Sequence, residues 1–147
     1  MTALLVLAHA PLAQALVDAV HHVYSRDPCA ASREVLAMDV APTESVEGAA
    51  GRAQALLDTL GPGAQVLVLT DMSGATPGNA AARLARAGQV AVVGGVNLPM
   101  LLRAVCYSGR CEAAELALKA REGALNGVAE IGPQGTSAPA ACPQEKN

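Results

Sequence analysis

A histidine that ends an apolar strand is well placed to react. His9 follows the wholly apolar run of residues 3–8, and Ala10-Pro11 opens a helical pattern directly after it, with Pro11 at the expected first helical position. A second apolar run, residues 66–70, ends at Asp71. The loop Ser73-Gly74-Ala75-Thr76-Pro77 comes next, with Thr76 as the expected N-cap and Pro77 at N1. A carboxylate that accepts the proton of one imidazole nitrogen fixes the tautomer and leaves the other nitrogen as a nucleophile. An imidazole of ordinary pKa, ~6.5, is substantially neutral at pH 7, as a phosphoryl acceptor must be. Gly74, Ala75 and Thr76 meet the positive end of a helix, where backbone N–H groups and one hydroxyl can cradle an anion. Nucleophile, orienting carboxylate and a cradle over residues 74–79 suit a transient phosphohistidine. No second base is evident to activate water, so hydrolysis is not suggested. Plainer readings stay open on residue type alone: an ordinary histidine at a strand end, a turn-forming Asp71, and a simple helix start at Thr76-Pro77.

The elements that must position these groups alternate along the chain. A helix over residues 12–24 follows the first strand and stops at Asp27-Pro28. A second strand, residues 34–38, ends at Asp39. Pro42 and Thr43 lead into a helix with Glu44 and Glu47 in its first turn, ended by Gly61-Pro62. After the strand at 66–70 come a short helix at 79–87, a strand at 90–93 and a helix from Asn97-Leu98-Pro99 to Cys106. A last helix covers 112–125, and residues 128–131 could add one more strand. Apolar strands alternating with helices predict an α/β fold: a doubly wound, mainly parallel sheet flanked by helices on both faces. In the flavodoxin-like order 2-1-3-4 the first and third strands are neighbours, so His9 and Asp71 should converge at the switch point where such sheets bind ligands. One domain over residues 1–132 and a disordered tail over 133–147, rich in Pro, Gly, Ser and Ala, are expected.

Composition narrows the function classes. The 147 residues carry a formal charge of −3, with two Tyr and no Phe or Trp. There is neither a basic stripe for phosphate backbones nor an aromatic surface for stacking bases, so nucleic acid is not an expected partner. Gly, Pro or charge interrupts every apolar stretch short of membrane-spanning length, which predicts a cytoplasmic protein without direct membrane insertion. The four cysteines, Cys29, Cys106, Cys111 and Cys142, match no zinc or redox spacing and are expected as free thiols. His21 and His22 are adjacent on the first helix, without the i,i+4 spacing of a metal pair, and are expected on the surface. Asp39 ends a strand where a dinucleotide fold would bind ribose, but no G-x-G-x-x-G precedes it. Asn97 and Pro99 suit a structural cap. Neither metal nor cofactor is expected.

Three stretches carry a family resemblance. VLAHAPLAQAL (residues 6–16), LVLTDMSGATPGNAAARL (67–84) and GGVNLPMLLRAV (94–105) occur in this order, and Arg121-Glu122-Gly123 follows. The sequence resembles, over residues 1–131, the mannose-type IIA component of the bacterial phosphoenolpyruvate-dependent sugar phosphotransferase system. That resemblance implies a phosphocarrier: His9 would accept a phosphoryl group from phospho-HPr and pass it to a IIB component in sugar uptake and phosphorylation. It implies Asp71 as the orienting aspartate, Thr76 as a hydroxyl close to the phosphate, and a homodimer exchanging a C-terminal strand, here residues 128–131. The chain carries no IIB domain, so a separate acceptor is expected. Ala10 and Ala75 stand where the family favours glycine, and Ser73 where it has an aromatic or aliphatic residue. A methyl at Ala75 could restrict backbone approach to the phosphate. Two alternative uses of the same histidine are a regulatory protein whose phosphorylation state a partner reads, and the related phosphocarrier of dihydroxyacetone kinase.

Overall fold

The computed structural model describes residues 1–27, 30 and 33–133. Four parallel strands, β1 (Thr2–His9), β2 (Val35–Val40), β3 (Gln65–Thr70) and β4 (Val90–Gly94), form one sheet in the order 2-1-3-4. The continuous apolar run of β1 reflects its place between β2 and β3 with both faces covered: Leu4, Leu5, Val6, Leu7 and Ala8 are fully buried. Successive side chains serve opposite cores. Leu4, Val6, Leu67 and Leu69 pack against α1 (Leu12–Val23), α4 (Leu98–Tyr107) and α5 (Ala113–Asn126). Leu5, Leu7, Val66 and Val68 pack against α2 (Val46–Asp58) and α3 (Thr76–Leu84).

Each helix starts for a local reason, and three starts differ from expectation. Pro11 is the N-cap of α1 rather than its first residue. Helix α2 begins at Val46 because Ser45 Oγ accepts the Gly48 N–H at 3.0 Å. Glu44 therefore lies before the helix, where it accepts the Ala41 N–H and pairs with Arg52 at 2.8 Å. Helix α3 begins at Thr76, with Ala75 as N-cap, so Thr76 and Pro77 are its first and second residues. It also ends at Leu84, short of the expected Ala87. Asn97 caps α4 as expected, its Oδ1 accepting the Met100 N–H at 2.9 Å.

The helices of each layer are tied to one another. Glu47 of α2 pairs with Arg83 of α3 at 2.7 Å, and Arg86 donates to Gln54 at 2.7 Å. On the other face α4 and α5 approach closely at Gly123, where a Cβ would run into the Arg103 side chain. Residues 128–131 pair with no strand among the described residues; Val128 and Ile131 are exposed. No described helix is long and apolar enough to cross a membrane. The expectation of free thiols fails at Cys106, which is disulfide-bonded to a partner outside the described residues, and holds for the buried Cys111. Residues 134–147, nearly all of the expected disordered tail, lie outside the described residues.

Candidate active site

The sheet order brings the ends of β1 and β3 side by side, and there His9 meets Asp71. Leu7 pairs with Thr70 in the register, so His9 and Asp71 both stand just beyond the last β1–β3 pair. Asp71 is held from behind by the end of β4: its carbonyl accepts the Gly95 N–H at 3.1 Å, and the Thr70 carbonyl accepts the Val96 N–H at 2.9 Å. Its carboxylate is fully engaged. Oδ2 accepts the His9 main-chain N–H at 2.9 Å and lies 2.7 Å from His9 Nδ1, while Oδ1 accepts the Met72 N–H at 2.8 Å. The Asp71 side chain is 13% exposed and that of His9 47%.

These contacts decide the protonation pattern. Partial burial of Asp71 works to raise its carboxyl pKa, but the His9 amide, the His9 ring and the Met72 amide together hold it below its ordinary value. An ionised carboxylate only accepts, so the proton shared at 2.7 Å belongs to Nδ1 of the imidazole. In the neutral ring Nε2 is then the nitrogen left with its lone pair. The carboxylate thus fixes the tautomer and, by gripping the amide of the same residue, the strand end that carries the ring.

Two helix N-termini close on this corner of the fold and are treated differently. Neither Pro11 nor Ala75 provides a capping side chain. At α1 a carboxylate from β2 substitutes: Asp39 Oδ1 accepts the Ala13 N–H at 2.9 Å. No side-chain cap closes α3, and its first turn carries no acidic residue. Pro77 has no N–H, which leaves the Thr76 and Gly78 amides and the Thr76 hydroxyl as donors at the positive end of the helix. Gly74 turns the loop with φ +84°, and its carbonyl accepts from Asn79 Nδ2 at 3.2 Å, tying the loop to the helix it precedes. Gly78 permits the close packing: a Cβ there would collide with the Met72 carbonyl. Gly74, Ala75 and Thr76 therefore sit together at the uncapped amino-terminal start of α3.

The departures from family residues introduce no backbone strain. Ala75 is extended with φ −89°, and no non-glycine residue among those described, Ala10 included, has positive φ. Ser73 lies against Gly94, with its Oγ 2.9 Å from the position a Cβ would take there. His21 and His22 are exposed on α1, as their adjacency suggested. No cluster of three metal-ligating side chains occurs among the described residues. The role of Asp39 escaped sequence reasoning, because its partner amide is 26 residues away on another element. Around the imidazole the surface is open, with Leu12 38% and Met72 60% exposed. A cleft lined by Gln54, Asp58, Arg86 and Gln89 lies at the opposite, amino-terminal end of the strands. The reactive corner can therefore be reached by a large partner.

Comparison with known proteins agrees with this geometry. Residues 3–120 match the family model described as PTS system fructose IIA component. The mannose/sorbose-specific IIA subunit of a phosphotransferase system from Enterococcus faecalis has a similar structure, at TM-score 0.74 and 24% identity, covering 89% of this chain and 95% of that one. A phosphotransferase system EIIA component from Streptococcus agalactiae superposes at TM-score 0.75 with 20% identity, over 88% and 97% of the two chains. The PTS IIA protein associated with the fucose utilization operon of Streptococcus pneumoniae gives 0.68 and 23%, over 88% and 96%. No curated protein gives a significant match.

Proposed function

Since the chain belongs to the PTS fructose IIA component family, with a general role in sugar phosphotransfer, we propose that it is a phosphocarrier charged on Nε2 of His9. The observation that carries this reading is the 2.7 Å contact between His9 Nδ1 and Asp71, which holds the imidazole as a nucleophile beside the uncapped start of α3. The donor is phospho-HPr and the acceptor a IIB component. The Nε2 lone pair forms the new N–P bond as the P–N bond of the donor breaks, and the donor leaves with that electron pair. The Nδ1 proton stays on the ring, so the charged imidazole is cationic and faces the Asp71 carboxylate. That charge makes the imidazole a good leaving group for the next transfer. Gly78 and Thr76 amides and the Thr76 hydroxyl hold the phosphoryl oxygens.

The open setting of His9 supports a protein donor and acceptor over a small substrate, which would need an enclosing pocket. The reading also places the protein in the cytoplasm, as a homodimer in which residues 128–131, unpaired among the described residues, add to the partner's sheet. The primary test is incubation with phospho-HPr followed by addition of candidate IIB proteins. An acid-labile label is expected on the wild type, none on His9→Ala, and the label should move to the cognate IIB. A label that persists on His9→Ala would refute the assignment.

A further inference from the structure

Thr70 ends β3 one residue before Asp71 and is only 3% exposed, yet its Oγ1 finds no hydrogen-bond partner among the described residues. A buried hydroxyl left unpaired is costly, and such atoms mark strain or a missing partner. Arg103 Nε is also unpaired, but it belongs to a guanidinium that already bonds Glu122. Thr70 has no such second group.

Its place in the sheet indicates what the hydroxyl is for. Val66 and Val68 face the core under α2 and α3, and strand alternation sends Thr70 to that same face. His9 follows Leu5 and Leu7 on that face, and Leu7 is the register partner of Thr70. The threonine therefore shares a sheet face with the imidazole, level with Leu7 two residues before His9, on the side of the sheet that α3 covers with the buried Pro77, Ala80 and Ala81. The Thr70 methyl lies toward Gly94, 3.9 Å from where a Cβ on that glycine would sit, so the hydroxyl is the branch turned away from the β4 edge.

Building on the phosphocarrier reading, we propose that Thr70 is a phosphoryl-binding residue, its hydroxyl donating to an inner oxygen of the phosphoryl group carried by His9. The α3 amides and Thr76 hold the group from the helix side, and Thr70 holds it from the sheet side. The hydroxyl is thus satisfied in the charged form, and its contribution is specific to that form.

A chemical donor separates this proposal from the identity of any protein partner. Phosphoramidate phosphorylates imidazole, the new N–P bond replacing the one to departing ammonia. Wild type, Thr70→Val and Thr70→Ser are charged with it at mildly alkaline pH, with His9→Ala as the control for labelling position. Urea midpoints are then measured in the cold for the charged and uncharged form of each. Uncharged Thr70→Val should be no less stable than wild type, because valine has the same shape without the orphaned hydroxyl. The change in midpoint on charging should be distinctly less favourable for Thr70→Val than for wild type, and Thr70→Ser should follow wild type. An equal change in all three refutes the role of Thr70 while leaving His9 as the carrier. Failure of the wild type to charge at His9 refutes both.

Discussion

Replacing Asp71 by asparagine is the most informative single perturbation of the relay. The carboxylate makes three contacts, to the His9 amide, the His9 ring and the Met72 amide, at 2.9, 2.7 and 2.8 Å. Asparagine keeps the shape but has only one acceptor atom. If that oxygen continues to serve the Met72 amide, the NH₂ group faces both the His9 amide, which loses its acceptor, and Nδ1, where it favours the tautomer protonated at Nε2, which has no lone pair for phosphorus. If the amide flips, the contacts to the His9 ring and amide survive, but the Met72 amide loses its acceptor and the charge that balances a cationic imidazole is gone. A hydrogen bond to a charged group is worth about 1.5–3 kcal/mol, so the transfer rate should fall by roughly one to two orders of magnitude. The assay is rapid-quench transfer of labelled phosphate from phospho-HPr, with urea unfolding as a check on the fold. A rate within twofold of wild type would show that Asp71 does not orient the nucleophile. Stability in acid gives an independent reading. The folded-state pKa of Asp71 is depressed, so its stabilisation is complete above the unfolded-state value, ~3.9, and is lost as pH falls through the folded-state value. Wild type should therefore lose stability below about pH 4 more steeply than Asp71→Asn.

Removing the Thr76 hydroxyl with alanine should slow charging about tenfold with little change in the urea midpoint, while serine preserves the rate; equal rates for all three would take the hydroxyl out of the cradle. Gly78→Ala forces a methyl against the Met72 carbonyl and should cost about 1–3 kcal/mol of stability as well as slowing transfer. Calorimetry and the same transfer assay would check it, and a fully stable variant would contradict the close packing. Asp39→Ala removes the cap of α1 and should cost about 1 kcal/mol. Asp39→Asn, which keeps an acceptor, should recover most of that; equal losses would show that charge rather than the hydrogen bond matters there.

The reactive pair was readable in the sequence because His9 and Asp71 each terminate an apolar run, and alternation of strands and helices placed those runs next to each other. Helix starts were less readable. Thr76 has the chemistry of an N-cap, but Gly74 with its positive φ makes the turn and leaves Ala75 at the cap position. Ser45 rather than Thr43 or Glu44 starts α2, since its hydroxyl reaches the amide three residues on. Asp39 was legible only as a strand end, because the amide it caps belongs to a helix earlier in the chain. Cys106 carried no spacing that marked it for a disulfide. Thr70 looked like any residue of an apolar strand until its hydroxyl proved buried and unpaired.

The unequal treatment of the two helix starts bears on the order of events in the relay. A carboxylate occupies the start of α1, while the start of α3 stays open, so an anion beside His9 is drawn to one side only. In the proposed relay the phosphoryl group would have a single berth, and both proteins that exchange it would approach over the same exposed surface, where Leu12 and Met72 stand out to solvent. Donor and acceptor would then exclude each other. Such a carrier would work by turns, each partner leaving before the next can dock, and an excess of either uncharged partner should inhibit the flow of phosphate by occupying the doorway.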